Sequence, residues 1–372
     1  MLKLIENTFK AALAFLLGFL FRSTPVSSPS ADAVKKILVI RQHNQLGDML
    51  CVVPLLRALR EKYPTAIFTL MASPVNAGIM EHNRFLNDIL VFDKDEFLGA
   101  MWLRVGRLAK FIGQVRRREF DLVLVPSTVS VSFTSTLLAF LSGARARVGV
   151  RRLDGAEHPG AFLFNLPVDL DWRSDPHRHQ TLRNLDIGKP LGLTTSDLRG
   201  EMTLQKGELE EGKNAVEKFL GDQFKKGPKV ALHPGAGKIP NQWPAARFAS
   251  VANLLASELD AALFVTQGPM DGEPVCEMTS LLKTRHFVIA DRPIREVAAI
   301  LAQMDLVISN DTGIMHVAAA VGVPVLSLFG PTDPLQWAPQ GEGHRFILAD
   351  GGEISAITVE EVLRAAREML RT

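Results

Sequence analysis

Several things are scarce in this sequence, and each shortage removes a class of protein. There are two cysteines, Cys51 and Cys276, in 372 residues. They stand far apart in apolar or helical surroundings, which gives neither a disulfide framework nor the close ligand spacing of a zinc site. A reducing compartment fits. Excess charge is also scarce: the formal net charge is +2 and charged residues make up 22%, so no nucleic-acid partner is expected. No G-x-G-x-x-G follows the first strand of either half, no G-K-S or G-K-T is present, and no G-x-S-x-G elbow occurs. These absences count against dinucleotide, P-loop and α/β-hydrolase chemistry in turn. No clustered acidic motif points to a divalent metal at a sugar nucleotide, and no metal is expected.

A full membrane span is missing too. The apolar run Ala11–Phe21, bordered by Lys3, Lys10 and Arg22, falls short of the roughly 20 residues a spanning helix needs. Three readings stay open for it: a helix lying in the membrane interface, a secretory signal without a clean small-residue cleavage site, or an extra helix packed on the domain. "RSTPVSSPSADA" then reads as a flexible linker.

What is present is a chain 47% hydrophobic, enough for at least two cores. Lys35–Arg41, Ala66–Met71, Ile89–Phe92, Asp121–Pro126 and Ala146–Val150 read as strands. Helices are predicted at Met49–Lys62, Trp102–Arg117 and Ser135–Leu141. Periodicity weakens over Phe162–Leu193, around a helix at His179–Ile187, and Glu208–Leu220 is a charged helix. A second alternation follows, with strands at Lys229–His233, Ala261–Thr266, His286–Ile289, Leu306–Ser309 and Val325–Phe329. The last helix, Val359–Leu370, has Thr358 as its N-cap. Alternation of this kind predicts an α/β protein with two doubly wound, Rossmann-like domains and a ligand cleft between them. The expected division is 1–34 for the apolar segment and linker, 35–200 and 201–356 for the domains, and 357–372 for the last helix.

The chemistry sits in loops that follow strands. "RQHNQLGD", Arg41–Asp48, ends the first strand; Asp48 reads as a helix cap, a phosphate-loop accessory or a catalytic base. In "HPGAGKIPNQWP", Gly235 and Gly237 allow close backbone approach and Lys238 can reach a phosphate; the plainer reading is a glycine turn with a solvated lysine. In "SNDTGIMH", Thr312, Gly313 and Ile314 present backbone N–H groups at a helix N-terminus, a seat for phosphate. Asp311 suits a cap or a sugar hydroxyl, and His316 either faces the ligand or packs in the core. "FGPTDPLQW" makes a sharp exit from the last central strand. The last three of these loops lie on the carboxyl edge of one sheet, which suits a diphosphate held without a dinucleotide fingerprint.

Taken together, "RQHNQLGDMLCVVPLLRALREKYP", "HPGAG", "QWP" and "SNDTGIMHVAAAVGVPVLSLFGPTDP" resemble the ADP-heptose:lipopolysaccharide heptosyltransferases, glycosyltransferase family 9, from about Lys35 to the C-terminus. The resemblance implies a GT-B fold with two domains facing across a cleft and a last helix that returns to the first domain. It implies inverting transfer of heptose from ADP-heptose to an inner-core acceptor of lipopolysaccharide, at the cytoplasmic face of the inner membrane. By the same resemblance Asp48 falls on the family's candidate base. Asp311, Thr312, Gly313 and His316 fall on the donor helix, and Glu273 most nearly matches the acid that meets the ribose. The adenine-side hydrophobe falls near Arg292. Family members often carry a lysine two residues before the "WP" tryptophan; here that residue is Asn241, and Lys238 stands in its neighbourhood. A missing charged contact of that kind is worth about 1.5–3 kcal/mol.

The expected mechanism follows. Asp48, facing the cleft from the first domain, takes the proton of the acceptor hydroxyl. The Thr312 and Gly313 amides with Lys238 offset the charge of the leaving diphosphate, and the transition state resembles an oxocarbenium ion. A lipid-linked saccharide acceptor is expected on the first domain. His43, Gln45 and the basic stretch "GARARVGVRR" would line its site, with Arg147 and Arg151, flanked by Arg145 and Arg152, reading carboxylates or phosphates; a solvated basic face is the bland alternative. Peripheral association with the inner membrane fits such an acceptor. Three rivals stand beside this: transfer of a different sugar from another nucleotide-sugar to an envelope polysaccharide, a non-catalytic binding component of envelope assembly, and a Rossmann-type sugar-nucleotide epimerase, against which the absent glycine fingerprint counts. A retained Asp48 speaks against the second.

Overall fold

Two apolar runs, "KILVIR" and "KVALH", each found the centre of a parallel sheet, because a strand covered on both faces must be hydrophobic nearly throughout. The computed structural model describes residues 23–98, 105–221 and 227–371. The apolar segment Met1–Arg22 and the predicted start of a helix at Trp102 lie outside the described residues. The chain divides into two compact units. One holds the residues up to Asn44 together with Cys51–Leu198; the other holds Gln45–Leu50 and the residues from Arg199 onward.

The first unit contains β1 (Lys36–Arg41), β2 (Ile67–Ala72), β3 (Asp88–Val91), β4 (Leu122–Leu124), β5 (Ala146–Leu153), β6 (Ala156–Glu157) and β7 (Leu166–Leu170). They form a sheet in the order β3-β2-β1-β4-β5-β6, with β7 pairing parallel to β5 and β6 antiparallel to it. The chain forms α1 (Leu46–Leu50), α2 (Val53–Lys62), α3 (Pro74–Met80), α4 (Lys94–Leu98), α5 (Val105–Arg117), α6 (Phe133–Leu141) and α7 (Gln180–Ile187). Of these, α1 belongs to the second unit. One core of this unit gathers Leu38, Ile40, Met71, Phe92, Phe111 and Val123. The strand β7 has no counterpart among the predicted elements: "LPVDL" alternates buried and outward residues, but Pro167 and Asp169 make it read as loop.

The single helix predicted over Met49–Lys62 is two helices. Pro54 sits in the first turn of α2, where its missing N–H costs nothing but where its ring crowds the carbonyl four residues earlier, so the helix cannot run through. Helix α1 starts at Leu46, which puts Asp48 inside the first turn rather than at the cap.

The second unit has six parallel strands among the described residues, in the order β10-β9-β8-β11-β12-β13. They are β8 (Lys229–His233), β9 (Ala262–Thr266), β10 (His286–Ile289), β11 (Leu306–Asn310), β12 (Val325–Phe329) and β13 (Arg345–Leu348). Its further helices are α8 (Lys206–Leu220), α9 (Ala245–Leu259), α10 (Gly272–Ser280), α11 (Ile294–Leu301), α12 (Gly313–Ala320), α13 (Pro334–Trp337) and α14 (Val359–Met369). Two cores cover the two faces of this sheet, one around Trp243 and Phe248, the other around Phe264 and Phe329. Helix α14 begins with a full capping box between Thr358 and Glu361. The return of this helix to the first domain is corrected here: Val362, Leu363, Ala366 and Met369 lie in the second unit's core with Trp243. An apolar face this continuous is satisfied where it stands. Among the described residues no helix is long and apolar enough to cross a membrane.

Candidate active site

In the second sheet the chain reverses its direction of travel between β8 and β11, the switch point at which doubly wound sheets open a crevice outside the carboxyl ends of the strands. Asn241, in the loop after β8, joins three loops there. Its Nδ2 donates to Asp311 Oδ2 at 3.1 Å, after β11, and to Thr332 Oγ1 at 2.9 Å, after β12. Asn310 adds a second tie, donating to the carbonyls of Pro234 and Gly235 at 3.0 Å each and accepting from the Trp243 backbone at 3.1 Å. Trp243 is fully buried and donates from Nε1 to the Ile357 carbonyl at 3.0 Å. The "QWP" stretch thus works as the anchor of the crevice wall.

Helix α12 begins at this crevice. Its N-cap, Thr312, is extended and makes no side-chain cap hydrogen bond, so the first amides are not closed off by Thr312 as a serine or aspartate cap would close them. Asp311 is half-buried beside it. Burial raises its carboxyl above the ordinary value, against the opposing pull of the Thr332 hydroxyl and the charge of Lys238. Lys238 itself is exposed. Gly235 serves a purpose other than ligand approach: a Cβ there would fall 2.1 Å from the Asp271 carboxylate. Asp271 is buried and accepts from the Gly268 backbone at 2.7 Å. It faces His233 Nε2 at 3.7 Å. Burial lowers the His233 pKa despite that neighbour, and Nδ1 lies 2.9 Å from Thr266 Oγ1. Glu273, the acid that the resemblance matches to the ribose, is exposed in the first turn of α10.

Helix α1, with Asp48, packs on the start of α12. A Cβ on Gly47 would meet His316 Cδ2 at 2.5 Å, and a Cβ on Gly313 would meet Leu46 Cβ at 3.2 Å. Asp48 is 9% exposed. It was expected on the first domain, and the structure instead groups its helix with the second unit. The His316 ring also meets Trp337 edge-on, centroids 6.5 Å apart.

The first unit has its own pocket, of about 570 Å³, where the loops after β1 and β4 diverge. Gln42, His43, Lys94, Ser132, Phe133 and His158 are among its lining residues. Gln42 Nε2 donates to Ser135 Oγ at 3.1 Å. Burial pushes His158 down to about 4, so it stands neutral, 2.8 Å from Thr136 Oγ1. Gln45 is exposed. The basic stretch does not converge on this pocket. Arg147 donates to the carbonyls of Leu163 and Ala144 at 2.8 and 2.9 Å and to Ser23 Oγ at 2.7 Å; its fork fixes backbone, and burial lowers its pKa. Arg151 holds Asp169 on the neighbouring strand by two bonds of 2.8 and 2.5 Å, which keeps that carboxyl below its usual range. Arg145 and Arg152 are exposed. In the second unit Arg292 pairs with Glu296 at 3.2 Å.

Comparison with known proteins adds a lineage to this geometry. A sequence model described as glycosyltransferase family 9 (heptosyltransferase) matches residues 108–361. Lipooligosaccharide heptosyltransferase 2 of Haemophilus influenzae is 30% identical over 327 residues, covering 83% of this chain and 87% of that one. Lipopolysaccharide heptosyltransferase 2 of Escherichia coli is 27% identical over 312 residues, covering 80% and 84%. Among solved structures, a family 9 glycosyl transferase from Veillonella parvula superposes with a TM-score of 0.78 at 22% identity, covering 91% of this chain and 97% of that one.

Proposed function

The chain belongs to glycosyltransferase family 9, and from that premise we propose an inverting transfer of heptose from ADP-heptose to an inner-core acceptor of lipopolysaccharide, with Asp48 as general base. The fold is GT-B, built from two Rossmann-like units. The observation that carries the reading is the second unit's crevice: an uncapped α12 start, three loops tied by Asn241, and Asp48 on a helix seated against that same start.

The diphosphate of the donor sits over the amides of Thr312, Gly313 and Ile314, where the helix dipole favours negative charge. Lys238 supplies the mobile cation, and Glu273 is the exposed carboxylate able to reach a ribose hydroxyl. As the acceptor hydroxyl attacks, Asp48 takes its proton. Charge then grows on the leaving diphosphate, and the helix amides stabilise it without having to reorganise. The saccharide acceptor, lipid-linked, occupies the first unit's pocket, with Lys94 and His43 as its polar contacts in place of Arg147 and Arg151. This work is placed at the cytoplasmic face of the inner membrane.

Asp48→Asn tests the base directly. It is expected to lower kcat by about 100- to 10,000-fold while ADP binding, measured by calorimetry, holds steady. Retained turnover would move the base elsewhere. Asn241 favours one second reading, a different nucleotide-sugar, because the expected lysine is replaced by a neutral amide. A binding panel of ADP-, UDP-, GDP- and dTDP-sugars separates the two: ADP-heptose should bind tightest, and a tighter rival would establish the alternative donor.

A further inference from the structure

We propose that His316 is the positioning residue for Asp48, acting as a buried ring on which the backbone of Gly47 rests. This rests on the reading of Asp48 as the base, and it replaces the expectation that His316 contacts the donor.

The geometry is an interlock of two glycines. At Gly47 a side chain would lie 2.5 Å from His316 Cδ2 and 2.9 Å from Nε2, closer than packed atoms approach, so the ring lies against bare backbone. At Gly313, one turn earlier on α12, the space a side chain would take is closed by Leu46, with Cβ, Cδ1 and Cγ at 3.2, 3.4 and 3.5 Å. Each helix thus lays a glycine against a side chain of the other. His316 is 8% exposed, and Trp337 stands edge-on to its ring at an interplanar angle of 72°. The ring therefore has Trp337, at the end of α13, edge-on to it and rests against Gly47, the residue that immediately precedes Asp48.

The chain on either side of α1 is bonded within the first unit. The His43 carbonyl accepts from Asn76 Nδ2 and from Ser73 Oγ, and the Cys51 carbonyl accepts from Asn184 Nδ2 at 3.2 Å. All of these residues belong to the first unit. A helix of five residues has few internal contacts with which to set its own height and rotation. The His316 ring sets them. The carboxylate is thereby registered to the helix that seats the donor diphosphate, and that registration fixes the distance from base to reacting carbon.

The test is size complementation in the full-length enzyme, with kcat, KM for ADP-heptose and ADP affinity measured for each variant. Gly47→Ala should lower kcat about 100-fold, the penalty expected when a reacting group is misplaced by about 1 Å. His316→Ala should lower kcat about 10-fold, move the acid limb of the kcat–pH profile, and leave ADP affinity within about twofold. The double variant Gly47→Ala/His316→Ala, in which the added methyl has room, should turn over faster than Gly47→Ala alone. Lost ADP affinity in His316→Ala at unchanged kcat would make His316 a donor ligand and overturn the proposal. A folded Gly47→Ala that the second substitution fails to improve would overturn it as well. Asp48→Asn run in parallel separates the two ideas: if it stays active, the base assignment fails and takes this proposal with it. If it is dead while the interlock variants keep wild-type kcat and pH profile, only the positioning role fails.

Discussion

Asp311 carries an electrostatic burden that Thr332 and Lys238 only partly relieve. Burial raises its carboxyl above the ordinary value, so the folded chain holds that proton more tightly than the unfolded chain does. The sign follows: the stabilising contribution is fully present below the ordinary carboxylate pKa and is lost as pH rises through the raised one. Above that raised pKa the ionised side chain opposes folding. Asp311→Asn keeps an acceptor for the Asn241 amide and removes the charge. It should raise the thermal unfolding midpoint at pH 7.5, by an amount that shrinks as pH falls toward 4; the same gain at both pH values would contradict the raised carboxyl. At this scale the site was legible where backbone carries the chemistry, as in "SNDTG", because a strand followed by a glycine-led helix start has one geometry. It was not legible where a side chain's partner decides its role. Nothing in "GARARVGVRR" says that Arg147 will fix carbonyls or that Arg151 will answer Asp169. Asp271 was hidden for the same reason, since the glycine that makes room for it, Gly235, lies in a different loop.

Helix α14 shows what a single element reveals of itself. Thr358 Oγ1 accepts from the Glu361 backbone at 3.3 Å, and Glu361 Oε2 accepts from the Thr358 backbone at 2.8 Å, satisfying two of the orphan donors of the first turn. The Thr358 backbone bond first, and then the donation of Thr358 Oγ1 to Glu361 Oε2 at 2.7 Å, hold the Glu361 carboxyl below its usual range. Thr358→Ala should cost about 1 kcal/mol, read as a lower denaturant midpoint with ADP affinity unchanged. A loss of ADP affinity would mean that α14 supports the crevice through the Ile357 carbonyl that receives Trp243. Its start and its apolar stripe were readable from the residues, because caps and periodicity are local. Its destination was not, since a stripe states that it must be covered but not by what. The break between α1 and α2 was written plainly in Pro54, yet a strong apolar period on both sides masked it.

Over the whole molecule, each unit carries its own sheet and its own core, so a ligand confined to one of them stabilises that one. ADP at about 100 times its Kd contributes about 2.7 kcal/mol to the unit that holds it. Hydrogen exchange should then slow at α12, in the loop after β8 and in α1, and stay unchanged across β1, β2 and β4. Protection of α12 without α1 would contradict the grouping of Gln45–Leu50 with the second unit.

That grouping also decides how the protein can be cut. The chain passes from one unit to the other at Asn44–Gln45, Leu50–Cys51 and Leu198–Arg199, so no single scission yields two whole pieces. A gene fragment opening at Arg199 is missing a splint of its own body, and the beds of Leu46 and Gly47 on Gly313 and His316 are left bare. The peptide "QLGDML" is the natural plug for that vacancy, and it brings the carboxylate with it. A split enzyme made at this junction therefore has a built-in latch: the amino-terminal half carries the tongue, and the carboxyl-terminal half carries the groove.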